Sequence, residues 1–191
     1  MILYMIRHGQ SEGNARHAHA GWTDISLTEL GFAQAAEAGR KLREIRFDRV
    51  ICSDILRARQ TCETALPGVK YELEPLVREN HVGWLAGQLV SDLTEMMGDA
   101  YTQNRFRRDY TEYGGESREI MTERVRRFAK KAEGFPEQET VAVFAHEGTL
   151  RCMMDIVMGV PLPLKNYACP NCMTAVFEYK DEKWRLLKWG V

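Results

Sequence analysis

Long apolar runs are missing: no stretch of the 191 residues approaches the roughly 20 needed to cross a bilayer. An excess of charge of either sign is missing too. Lys and Arg number 26 against 27 Asp and Glu, giving a net charge of -1, and no basic stripe or acidic tail stands out. The chain therefore carries no electrostatic footprint for nucleic acid or for an anionic membrane surface. The short N-terminal apolar run has no basic segment before it, unlike a secretory signal. Repeats, linkers and low-complexity segments are also missing. A cytoplasmic enzyme that contacts neither nucleic acid nor membrane is the expectation, and the sequence leaves a homodimer open.

Cysteine is sparse and odd in number: Cys52, Cys62, Cys152, Cys169 and Cys172, mostly within apolar patterns. That suits reduced, packed thiols better than a disulfide framework. Cys169-Pro170-Asn171-Cys172 has the spacing of a zinc or redox site. It lacks a second pair, a His-x-x-x-His partner and a helix-opening context, so structural thiols are expected. No carboxylate cluster is suited to magnesium. No metal and no cofactor are expected.

Strand and helix signals alternate from the first residues onward. Ile2–Ile6, Asp48–Cys52, Val69–Leu76 and Thr140–Ala145 are apolar runs of strand length, the last being the unbroken kind buried in a parallel sheet. Ser26-Leu27-Thr28-Glu29 has capping-box spacing and leads into an alanine-rich helix, Gly31–Ile45. Ser53 or Asp54 can cap a second helix, which carries Arg57 and stops at Pro67-Gly68. A glycine-marked loop, Glu79–Gly87, precedes a mostly helical stretch, Ser91–Tyr110. Glu116–Ala132 reads as a strong helix with Ile120, Val125 and Phe128 inside. Another helix spans about Thr149 to Met158 and is closed by Pro161 and Pro163. Thr174–Tyr179 and Trp184–Trp189 flank the turn Lys180–Lys183 as a hairpin. The expectation is one α/β domain over residues 1–191, a mostly parallel sheet between helical layers.

Within this frame the first strand breaks into Arg7-His8-Gly9-Gln10-Ser11-Glu12-Gly13-Asn14. A cation, an imidazole and an unhindered backbone there would meet at the carboxyl edge of a sheet, where open α/β sheets bind ligands. Arg7 supplies a planar fork for phosphate oxygens, His8 a nitrogen nucleophile and Asn14 an amide donor. Arg-His-Gly alone is a common tripeptide, and a histidine after a strand is usually a plain loop residue. However, Phe144-Ala145-His146-Glu147-Gly148 closes a second buried strand in the same way. In a parallel sheet the two histidines would face one pocket. Arg57, in the first turn of a helix that follows a strand, can point there too, and that helix N-terminus favours an anion.

Together these residues resemble the histidine phosphatase superfamily, the phosphoglycerate mutase-like proteins, over nearly the whole chain. Five blocks follow in order. Arg7-His8-Gly9 with Ser11 and Asn14 comes first, with Gly21-Trp22-Thr23-Asp24 and Leu27-Thr28 after it. Ser53, Arg57, Ala58 and Thr61 form the second block, and Glu79, Gly83 and Gly87 the third. Gly114-Gly115-Glu116-Ser117 and His146 complete the set.

The resemblance implies a phosphohistidine mechanism on a small phosphorylated metabolite. His8 attacks phosphorus, Glu79 protonates the leaving oxygen, and Arg7, Arg57 and His146 clamp the equatorial oxygens. Asn14, Glu147 and Gly148 are further candidates for the phosphate site. Gln10 stands where the family often has Glu, and Glu147 where Gly is common. A phosphomonoesterase is the leading expectation. A mutase is the alternative, and a non-catalytic phosphate-binding protein is a third. The resemblance also implies that cofactor-dependent mutases of the family are generally longer, with an added segment before the Gly-Gly-Glu-Ser block, where this chain has only residues 88–113.

Other features are expected to be structural. Trp84, Trp184 and Trp189 read as packing. His17, His19 and His81 read as exposed loop residues with the mouth of the pocket as the alternative, and Arg105, Arg107 and Arg108 as a solvated helix face with a substrate contact as the alternative.

Overall fold

In the computed structural model, which describes residues 1–161 and 167–190, the expected apolar runs pair into one sheet. The strands are β1 (Ile2–Arg7), β2 (Arg49–Cys52), β3 (Glu72–Leu73), β4 (Thr140–Ala145), β5 (Thr174–Lys180) and β6 (Lys183–Trp189). Their order across the sheet is β3-β2-β4-β1-β5-β6. The first four positions in that order are parallel, and β5 and β6 add an antiparallel hairpin at the β1 side. Asp181 and Glu182 turn the hairpin with positive φ of 52° and 57°, the backbone that a two-residue loop requires.

Six helices accompany the strands among the described residues: α1 (Glu12–Ala15), α2 (Glu29–Leu42), α3 (Leu56–Ala65), α4 (Val90–Arg107), α5 (Arg118–Ala132) and α6 (Glu147–Met158). Both sheet faces are covered. Leu3, Met5, Val141 and Val143 pack with Val125 and Phe128 of α5 and Leu150 of α6. The alternate residues Ile6, Ala142 and Phe144 pack with Leu42 of α2 and Ala58 and Cys62 of α3. This three-layer arrangement explains why β4 shows no polar alternation in sequence: neither of its faces meets water. A third cluster, including Leu85, Leu93, Tyr101, Tyr110 and Tyr113, gives α4 and its flanking loops a small core of their own.

Several boundaries differ from expectation, each for a local reason. The strand expected over Val69–Leu76 shrinks to Glu72–Leu73, an exposed edge pair, because Pro75 begins a 3-10 turn over Pro75–Val77. Thr28 alone caps α2, accepting from the Gly31 N–H at 3.0 Å. The reciprocal capping box lies instead between Ser11 and Asn14, where it starts the unforeseen helix α1. Ile55, not Ser53 or Asp54, is the N-cap of α3, and the Leu56 N–H finds Asp24 Oδ1 at 2.8 Å. Ser117 caps α5, so that helix begins at Arg118, and Ile120 lies outward at 50% exposure. The α4 segment breaks at Gly98 (φ 62°) and ends with Arg108 in the left-handed region (φ 59°). Pro163, expected to help close α6, lies outside the described residues.

Trp184 and Trp189 pack against the core, whereas Trp84 is 54% exposed and meets Tyr113 edge-on. No helix among the described residues is long and apolar enough to cross a membrane.

Candidate active site

The register of the sheet builds the site. Arg7 is paired with Ala145 at the carboxyl ends of β1 and β4, so His8 and His146, one residue further along each strand, emerge side by side. Their rings meet edge-on with centroids 5.2 Å apart, and both are buried. Arg57, in the first turn of α3, is 1% exposed. It donates from Nε to His8 Nε2 at 3.2 Å and from Nη2 to the Gly21 carbonyl at 2.8 Å. Gly31 lets α2 run against the loop after β1, since a Cβ there would stand 2.0 Å from the Gln10 carbonyl oxygen.

The ring of His8 has a defined polarity. Nδ1 lies 2.6 Å from the Gly9 carbonyl oxygen, which can only accept, so the proton sits on Nδ1 and the lone pair on Nε2. Burial, reinforced by the Arg57 and Arg7 guanidinium groups, holds the His8 pKa well below the ordinary histidine value. His8 is therefore a neutral imidazole whose Nε2 lone pair accepts from Arg57 at the pocket. His146 is held low by burial and then by Arg57 and His8. Its Nε2 lies 2.9 Å from Ser53 Oγ, and its buried Nδ1 has no protein partner.

A cavity of about 330 Å³ opens over His8 and Arg57 and is lined also by Arg7, Asn14, Glu79, Glu147 and Gly148, whereas His146, fully buried, is not among its lining residues. Three donors converge on Asn14 Oδ1: the Ser11 N–H at 3.1 Å, Ser11 Oγ at 3.2 Å and Asn171 Nδ2 at 3.3 Å. The amide nitrogen is thereby the end left for a ligand. Glu79 accepts from the Asn80 N–H at 2.8 Å and from the Gly148 N–H at 3.2 Å, with Arg108 Nη2 3.7 Å away. Gly148 is needed for that approach, because a Cβ would stand 2.1 Å from Glu79 Oε1. Its N–H thus serves the carboxyl group of Glu79. Glu147 lies 3.0 Å from Arg7 Nη1 and also accepts from Arg151 Nε at 2.9 Å, so two arginines engage its carboxylate within the cavity wall.

The site also contains residues expected elsewhere. Arg105 and Arg108 line the cavity, Arg105 from an exposed position on α4 and Arg108 buried, and Arg107 is an exposed helix-face residue outside it. Arg108 reaches inward because its left-handed backbone turns the chain at the end of α4, a conformation that sequence periodicity does not show. His19 also lines the cavity, 2.6 Å from Tyr101 Oη, and burial with Arg105 lowers its pKa to about 4.

The Cys169–Cys172 turn buckles the site through its backbone. The Cys169 carbonyl accepts from Arg7, and the Cys172 N–H and Asn171 Nδ2 donate to the His8 carbonyl at 3.2 and 3.1 Å. Burial pushes both thiols up to about 12, so they are protonated. Among the described residues no group of three or more His, Cys, Asp or Glu side chains is placed to hold a metal ion.

Known proteins resemble this chain in sequence and in fold. The family model of the histidine phosphatase superfamily (branch 1) matches residues 3–191. The adenosylcobalamin/alpha-ribazole phosphatase of Salmonella typhimurium is 30% identical over 169 residues, covering 84% of this chain and 81% of that protein. A protein of Erwinia tasmaniensis described as "probable phosphoglycerate mutase GpmB" is 27% identical, covering 99% of this chain and 90% of its own. Among solved structures, mycobacterial glucosyl-3-phosphoglycerate phosphatase in complex with VO3 superposes with a TM-score of 0.87 at 25% identity, covering 100% of this chain and 98% of that one. Bacillus stearothermophilus YhfR shares the fold with a TM-score of 0.90 at 22% identity, covering 97% and 95%.

Proposed function

The chain belongs to the histidine phosphatase superfamily (branch 1), and from that membership and the geometry of its pocket we propose that it is a phosphomonoesterase acting on a small phosphorylated metabolite. The observation that carries this reading is the neutral His8 ring, with Nδ1 tied to the Gly9 carbonyl and Nε2 presented to Arg57 at 3.2 Å. The Nε2 lone pair forms the N–P bond as the P–O bond to the leaving group breaks. Glu79 delivers its proton to the leaving oxygen. Water then attacks phosphorus, its proton passes to Glu79, the N–P bond breaks and the electron pair returns to His8. Arg7, Arg57, His146 and the Asn14 amide hold the equatorial oxygens. Phosphoryl transfer asks mostly for positioning and positive charge, which these groups supply. Gly148 acts by admitting and binding Glu79, and Glu147 by its contact with Arg7.

Two relatives named as phosphatases support hydrolysis. A mutase reading is favoured by the GpmB-type relative, which aligns with 99% of the chain. Against it, only residues 88–113 lie between Gly87 and Gly114 to cover the pocket, and a phosphohistidine that returns its group must be shielded from water. The test is a panel of phosphorylated metabolites assayed for phosphate release, with 3-phosphoglycerate tried with and without 2,3-bisphosphoglycerate. Phosphate release with acid-labile label on the parent and none on H8A is the expected result. Primer-dependent formation of 2-phosphoglycerate with little free phosphate would establish the mutase instead.

A further inference from the structure

Glu79 lies between two 3-10 turns, Pro75–Val77 and Gly83–Leu85, in a stretch that belongs to no α-helix and no strand. Side chains from elsewhere hold its backbone. Arg124 of α5, outside every motif read from the sequence, donates from Nη1 to the carbonyls of Leu76 and Arg78 at 2.9 and 3.0 Å. From Nη2 it donates to the Glu79 carbonyl at 3.0 Å. Trp22 Nε1 donates to that same carbonyl at 2.6 Å, so the Glu79 carbonyl has two donors. Arg124 is itself aimed by Glu116, which accepts from its Nε and Nη2, each at 2.8 Å. Glu116 also accepts the His81 N–H at 3.0 Å, fixing the far end of the loop.

We propose that Arg124 and Trp22 are positioning residues for proton transfer, setting the place of the Glu79 carboxyl group by clamping the backbone of residues 76–79. The inference rests on Glu79 being the proton donor of the proposed reaction. Neither residue is among those lining the phosphate cavity. Their leverage is geometric. A general acid must reach its oxygen within a hydrogen-bond length, and a displacement of about 1 Å can cost on the order of 100-fold in rate. An irregular loop has no helix or ladder to give that accuracy. The planar guanidinium makes its five donations at once, which a lysine ammonium on a flexible stem does not reproduce.

A positioning role differs from simple support of the fold in how it depends on the leaving group. A weakly basic phenolate departs without a proton, whereas a strongly basic one needs the acid. R124K and W22F are therefore compared with E79Q and the parent on a series of substituted phenyl phosphates. Thermal unfolding and vanadate inhibition are measured alongside. The expected kcat/KM loss is under about three-fold for p-nitrophenyl phosphate and above about ten-fold for unsubstituted phenyl phosphate, with vanadate binding kept. Where R124K does not fold, W22F, which removes the indole N–H and keeps an aromatic ring facing His81 and Arg78, decides. Equal losses on all esters, or none, beside a leaving-group-dependent loss in E79Q, overturn the clamp and leave the function standing. An E79Q variant without that dependence removes Glu79 as the acid, and the clamp with it.

Discussion

Arg57 Nε and His8 Nε2 lie 3.2 Å apart inside the protein, a guanidinium N–H set against the lone pair of a neutral imidazole. Burial lowers Arg57 to about 10, so it stays charged at neutral pH, while the same burial keeps His8 uncharged. One group is a fixed cation and the other presents a nitrogen lone pair, and the hydrogen bond sets the charge directly beside the atom proposed as the nucleophile. The helix that carries Arg57 starts just after β2, beside β4 and its histidine.

R57K is expected to keep the charge and lose the fork. The transition state spreads charge over the equatorial oxygens, so the loss falls on turnover more than on ground-state binding. We expect kcat to drop by about 100-fold, with KM changed by less than about five-fold. Steady-state kinetics on any released ester, with kcat and KM resolved separately, checks this. A change confined to KM would make Arg57 a binding residue only.

Folded His8, His146 and His19 all titrate below an ordinary histidine. Between pH 6.5 and about 4 the unfolded chain therefore binds protons that the folded chain does not. With more protons on the unfolded state, stability rises with pH across that window and falls as the solution is acidified. Each histidine contributes up to about 1.4 kcal/mol per pH unit. Asp54 and Asp109, whose carboxyls are lowered, add their losses only at more acidic pH. Calorimetric unfolding midpoints should fall steadily from pH 7 to pH 5, less so in H19Q. A flat midpoint over that range would contradict the neutral, buried histidines.

The strand-end histidines, Arg57 and the three-layer sheet could be read directly from sequence, because each follows from an apolar run that stops at a fixed place. The sheet register then puts the two rings 5.2 Å apart, as matched strand ends suggest. Arg108 and Arg124 could not be read in this way. Arg108 enters the cavity through a left-handed residue after a helix broken at Gly98, and the local pattern shows only a charged helix end. Arg124 serves a loop 45 residues earlier in the chain, and its partners are backbone carbonyls, which carry no side-chain signature. The Cys169–Cys172 turn, read from sequence as structural thiols, has a role that is hidden for the same reason: its carbonyl and N–H groups make the contacts to Arg7 and His8.

Chelation should leave the enzyme active. The pocket offers arginine side chains and imidazoles to an anion, and the C-x-x-C thiols are protonated. Activity after exhaustive EDTA treatment is expected within about two-fold of the untreated protein. The C169S/C172S double variant should lose about 1–2 kcal/mol of stability and little turnover, as for small packed side chains. Loss of activity on chelation, restored by zinc or magnesium, would place a metal in the reaction.

Glu147 is the residue whose replacement should improve phosphate binding. Its Oε2 stands 3.0 Å from Arg7 Nη1, and its Oε1 is held by Arg151. A dianionic phosphate drawn to Arg7 meets that carboxylate as a like charge in a partly desolvated pocket, where such repulsion is stronger than in bulk water. E147Q keeps the shape and one acceptor oxygen but removes the charge. Inorganic phosphate and vanadate should then inhibit about three- to ten-fold more tightly, with the gain shrinking as added salt screens the original repulsion. The competing effect is orientation: Glu147 also anchors Arg7, and a neutral amide holds a guanidinium less firmly. The two have opposite signs in one measurement. Weaker inhibition by phosphate in E147Q would mean that the carboxylate serves the site by holding Arg7 in place, and that its charge is tolerated for that purpose.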